Sequence, residues 1–119
     1  PTSPQLLKVL TPMAIYATVT SDFKTAEDCY RQSVKIQEQT TGASSPQVGS
    51  ALTLLASTLS RTGNYSEAAG LQERAMRILK KSPDYRSLYE ASVDNLNYVN
   101  TQMGRPMIAM DDDTADGAP

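Results

Sequence analysis

The chain has 119 residues, 39% of them hydrophobic, with 11 basic and 13 acidic side chains and a formal charge of −2, which suits one soluble domain or one piece of a longer array. It contains no histidine and one cysteine, Cys29, so the commonest general base and metal ligand are missing, no internal disulfide can form, and no cofactor or metal is expected. No apolar run approaches the roughly 20 residues that cross a bilayer, and the basic residues are not gathered into the face that nucleic acid requires.

From the amino end, the pattern predicts a helix from about Pro4 to Thr20, a turn at Ser21-Asp22 and a second helix from about Phe23 to Gln39. Pro12 falls inside the first helix, where it leaves the Lys8 carbonyl without its usual partner and is expected to bend or interrupt the helix, with Thr11 able to cap a restart. The link "TTGASS" follows. Ser45 is then a suitable N-cap and Pro46 a suitable first helical residue. Val48, Leu52, Leu55, Ala56 and Leu59 recur at the spacing of one buried helix face. That helix should stop at Thr62-Gly63-Asn64, where glycine can take the left-handed conformation.

A further amphipathic segment begins at once with Tyr65, Ala68, Leu71, Ala75, Met76, Ile78 and Leu79. A turn this short makes the two helices an antiparallel hairpin. Arg74, Arg77, Lys80 and Lys81 lie at its end, where the helix dipole favours positive charge; they could also hold an acidic segment, including the chain's own tail. Ser82-Pro83 opens a last helix, whose apolar face of Tyr85, Leu88, Tyr89, Val93, Leu96 and Met103 runs to Gly104. Beyond it, "RPMIAMDDDTADGAP" lacks periodicity and is expected to lack structure of its own. Residues 1–104 are thus expected to form the helical domain and 105–119 an irregular acidic tail.

"SPQ" occurs at Ser3 and again at Ser45, an offset of 45 − 3 = 42 residues. Sliding the chain by that distance brings Leu10 and Thr11 onto Leu52 and Thr53, Ala14 onto Ala56, Ala26 onto Ala68 and Ile36 onto Ile78. Phe23 falls on Tyr65, Asp22 on Asn64 and Cys29 on Leu71, which makes Cys29 a core residue. Gly104 stands 104 − 63 = 41 residues after Gly63. A fixed period in this range marks stacked supersecondary units. The fold class expected is all-α, a solenoid of two and a half helix hairpins, five helices in all.

The stretch "LTLLASTLSRTGNYSEAAGLQERAMRIL", Leu52 to Leu79, resembles a tetratricopeptide repeat. Its period and the preceding "TGASSPQV" resemble the long variety typified by kinesin light chain. Gly63, Tyr65, Glu67, Ala68, Ala75 and Ile78 match that pattern; Ser21 departs from it where glycine is expected. The resemblance implies a right-handed stack in which each unit buries its face against its neighbours and about three units are normally needed. This chain has fewer, so its end helices are expected to be covered by further residues, a second copy or a different protein.

The resemblance also implies that the first helices line a concave surface, where asparagine can hold the backbone of a bound peptide. Leu54 and Asn95 occupy that place, since 95 − 54 = 41. Asp94 and Tyr98, with Thr53, Ser57 and Arg61 from the preceding unit, complete a candidate polar groove, against the plain alternative of solvated helix residues. Met107, Ile108 and Met110 place adaptable apolar side chains just beyond the last helix, suited either to closing the solenoid's end or to docking on a partner. Asp111, Asp112 and Asp113 lack the alternating ligands of a calcium loop and read as a solvated tail.

Two function classes follow. The leading one is a non-enzymatic protein-interaction scaffold, a small peripheral or assembly subunit of a larger complex, with a peptide-capturing adaptor of the kinesin-light-chain kind as the alternative. The rival is an enzyme, for which no nucleophile with its base, metal cluster or phosphate loop is visible. Compartment is left open: a first residue of proline fits trimming, import into an organelle with processing, or a chain that starts upstream.

Overall fold

The computed structural model describes residues 4–108, and every regular element among them is helical. A 3-10 turn at Pro4–Leu6 leads into α1 (Leu7–Val19), followed by α2 (Phe23–Thr41), α3 (Pro46–Arg61) and α4 (Tyr65–Lys80). A second 3-10 turn at Pro83–Tyr85 leads into α5 (Arg86–Gln102). The helices fall where the periodicity puts them. Contrary to the expectation of a restart at Pro12, α1 runs through that residue as one helix. Only one intrahelical donor is lost there, and Pro12 is exposed to solvent.

Three corners repeat. α1, α3 and α5 each end with a residue in the left-handed region: Ser21 at φ 62°, Gly63 at 86° and Gly104 at 72°. The amide of the next residue then reaches back to a carbonyl five positions earlier, Asp22 to Ala17 at 2.7 Å, Asn64 to Leu59 at 2.9 Å and Arg105 to Asn100 at 2.7 Å. This pairing satisfies carbonyls that a helix end leaves orphaned. After the first corner, Asp22 caps α2 by accepting the Thr25 amide, and Ser45 caps α3 by accepting that of Val48.

Each helix packs against the one before it, and α3 also touches α5, so α1, α3 and α5 form one layer and α2 and α4 the other. The outer layer is stapled by ion pairs between consecutive hairpins. Arg31 of α2 makes two bonds to Glu67 of α4, at 2.9 and 3.0 Å, and Arg74 of α4 reaches Glu38 of α2 at 2.7 Å. The core between the layers is built from Ala14, Ile36, Leu52, Ala56, Leu59, Ala68, Leu79, Val93 and Leu96, all essentially inaccessible. Alanines at Ala14, Ala56, Ala26 and Ala68 let the hairpin helices approach closely.

Candidate functional site

The expected groove lies on the α3–α5 side. Ser57, Ser60 and Arg61 of α3 and Asn95 and Tyr98 of α5 line an open hollow of about 240 Å³. Its polar groups are partly committed to one another: the Asn95 amide donates to Ser57 Oγ at 3.1 Å. The two remaining large side chains turn to the aromatic that opens the preceding second helix. The Arg61 guanidinium lies 5.8 Å from the centre of the Phe23 ring. Tyr98 meets Tyr65 edge-on, at 6.4 Å and 69°, and its hydrogen bond holds the Tyr65 hydroxyl pKa above the ordinary value.

Thr53 is not in that hollow. It is buried, with its hydroxyl 3.0 Å from the Gly49 carbonyl and 2.9 Å from Ser92 Oγ. Together, the Thr53–Ser92 and Ser57–Asn95 contacts zip α3 to α5. Asp94 is exposed and is not one of the residues that line the hollow. Between α1 and α3 a second hollow of about 180 Å³ opens, with Leu7, Thr11, Ser50 and Leu54 on its walls and Tyr30 and Gln37 from α2. The sequence reading missed this hollow, although Tyr30 and Leu54 are at helical spacing from recognised core positions.

Past the last corner, Met107 is exposed and Ile108 packs against the core. Ile108 is gripped by Asn97 of α5: its amide donates to Asn97 Oδ1 at 2.6 Å, and Asn97 Nδ2 donates to its carbonyl at 2.9 Å. Met110 and the acidic residues Asp111, Asp112 and Asp113 lie outside the described residues. Cys29 is buried, and burial, with Asp28 nearby, raises its thiol pKa, which disfavours the reactive thiolate. In the basic cluster, Arg74 is engaged by Glu38 and the Ala43 carbonyl, and Arg77 and Lys81 line a hollow beside Ser44 and Ser82.

A run of exposed apolar side chains lies on α1. Val9, Met13, Tyr16 and Val19 are between 47% and 77% exposed and follow one another along a single helix face. The repeat offset explains what that face is. Val9, Met13 and Tyr16 stand 42 residues before Ala51, Leu55 and Thr58, which are 7%, 3% and 4% exposed, and 83 before Ser92, Leu96 and Val99, which are all 0%. In α3 and α5 this face lies in the stack that α2 and α4 precede; in α1 it is open.

Among the described residues no helix is long and apolar enough to cross a membrane, and no group of three or more metal-ligating side chains is gathered. No curated protein matches the chain. Residues 5–81, the two complete hairpins and the corners that define them, match the family model described as tetratricopeptide repeat, and the chain therefore belongs to the tetratricopeptide repeat family.

Proposed function

We propose that this chain is a small subunit of a larger protein assembly, docked through the open face of α1, with no catalytic role. Repeats of its family generally mediate protein–protein interactions. The observation that carries the finer reading is the exposure of Val9, Met13 and Tyr16 at positions whose counterparts in α3 and α5 are buried. A stripe of this kind on an isolated helix would be costly to leave in water, and contiguous apolar patches of a few hundred Å² mark interaction sites. Covering it with a partner helix would complete the stack in the way that α2 and α4 complete it for the next units.

The alternative is capture of short peptides on the inner layer, and it draws support from the hollow formed by Ser57, Arg61, Asn95 and Tyr98. The two readings separate in one experiment: affinity recovery of partners from native extract, with Met13→Glu/Tyr16→Glu and Asn95→Ala/Tyr98→Ala compared with the unchanged chain. Docking through α1 predicts that a defined assembly is lost with the first pair and kept with the second. Recovery of the same assembly by the α1 variant would overturn it, and loss with the Asn95/Tyr98 variant alone would establish peptide capture.

A further inference from the structure

The third unit has a first helix, α5, but no second helix among the described residues to close its hairpin. In α1, whose main neighbour is α2, the closing face is centred on Ala14, which is fully buried. Ala56 is its counterpart in α3 and is equally buried. One period on, at 56 + 41 = 97, the small residue is replaced by Asn97. An asparagine there keeps a packed helix at a distance, and its amide needs partners of its own.

The chain that returns along this face is not helical. At the cap position, where the earlier units have Asp22 and Asn64, stands Arg105, which has no oxygen to accept an amide at a helix start. Residues 105–108 stay irregular, and Asn97 pairs with both backbone groups of Ile108. One side-chain amide donating to and accepting from the same residue reproduces a rung of a β-ladder, and that recognises an extended backbone whatever its side chains. The Ile108 side chain turns to the core while Met107 faces solvent, so the site adds an apolar preference at one position. Asn97 lies about 200° around the helix from Asn95, on a different face from the inner-layer hollow.

We propose that this face of α5 is a binding site for an extended apolar peptide segment, built round the Asn97 amide and filled in the free protein by its own Arg105–Ile108. The segment lies on the α5 face that corresponds to the one packed by a second helix in the earlier units. Because the grip is on the backbone, a segment of the same kind from outside can take its place.

Two measurements on the full chain test this. Residue-resolved hydrogen exchange should show the Ile108 amide protected in the unchanged chain and at least tenfold faster in Asn97→Ala, with α3 and α4 unaffected. A blocked, labelled hexapeptide carrying the sequence of residues 105–110 should bind saturably to Ile108→Pro, whose own segment has lost its donor, and at least tenfold more weakly to the unchanged chain. It should not bind to the Ile108→Pro/Asn97→Ala double variant. Equal exchange at Ile108 with and without Asn97, or peptide binding indifferent to Asn97, would overturn the proposal. If Asn97→Ala does not fold, Asn97→Leu, which keeps the approximate shape and removes both the acceptor and the donor, carries the same comparison.

Discussion

Arg31 and Glu67 join the two hairpins through a paired contact in which both guanidinium Nη atoms meet both carboxylate oxygens. Arg31 is also held by Glu27 of its own helix at 2.9 Å. The hydrogen bond from Arg31 lowers the Glu67 pKa from its ordinary 4.5. A carboxylate whose folded pKa is depressed contributes stability that is fully present above the unfolded value and is lost as pH falls through the folded one. Glu67 is about half exposed, so the contribution is small, about 0.2–1 kcal/mol for such pairs. Glu67→Gln should therefore lower thermal stability slightly at neutral pH and flatten the decline below about pH 4.5. Melting curves from pH 7 down to 3 check this; parallel profiles for the two proteins would remove the pair from the account.

The first corner is the strained one. Ser21 takes a φ of 62° where Gly63 and Gly104 stand in the other units, and a residue with a Cβ pays about 1–2 kcal/mol for the left-handed conformation. Ser21→Gly should stabilise the chain by about 1 kcal/mol, a rise of roughly 4 °C in Tm for a domain of this size. Gly63→Ala should do the reverse by a similar amount. A Cβ added at Gly63 meets nothing within 4 Å, so that change isolates the backbone cost. Thermal melts of the two variants, shifting in opposite directions, are the expected result.

The hairpins and corners were readable because each rests on local chemistry: apolar spacing, a cap such as Ser45, a glycine such as Gly63. The candidate groove was readable in part, since alignment by the repeat offset brings Ser57, Arg61, Asn95 and Tyr98 together, and these four line one hollow. Thr53 could not be placed that way. A threonine on a helix can face solvent or bridge to a neighbour, and only the approach of α3 to α5 puts Ser92 within reach of it. The same holds for Arg31 and Glu67, 36 residues apart, and for Asn97 and Ile108, where the partner is an irregular segment with no periodicity to betray it. The open face of α1 was hidden for the opposite reason: Val9, Met13 and Tyr16 have the pattern of a core face, and spacing cannot say whether a neighbour is there.

Gln72 of α4 is fully buried, and neither its amide nitrogen nor its amide oxygen has a hydrogen-bond partner among the described residues. Leaving such a group unsatisfied costs about 1–3 kcal/mol, whereas an apolar side chain of similar shape carries no such cost. Gln72→Met matches the length and flexibility of glutamine and should stabilise the fold by about 1 kcal/mol or more. Urea unfolding at constant slope would show a raised midpoint. A lowered midpoint would mean that the amide is satisfied by bound water and belongs to the structure.

Gly49, by contrast, should resist the exchange for alanine that usually strengthens a helix. It sits in the first turns of α3, and a Cβ added there would stand 2.9 Å from both Cγ and Cδ2 of Leu79 and 3.3 Å from Ile78. Leu79 is 1% exposed, so it has no space into which to retreat. Helix propensity favours Gly49→Ala by about 1 kcal/mol, but overpacking in a filled core costs about 1–3 kcal/mol, and the sum should be a net loss. A double-mutant cycle with Leu79→Ala identifies the cause. That truncation alone should cost about 2–5 kcal/mol, and alanine at position 49 should then cost less than in the full-length side chain's presence, because the two sites share one contact. Additive losses in denaturant unfolding would place the cost of Gly49→Ala somewhere other than at Leu79.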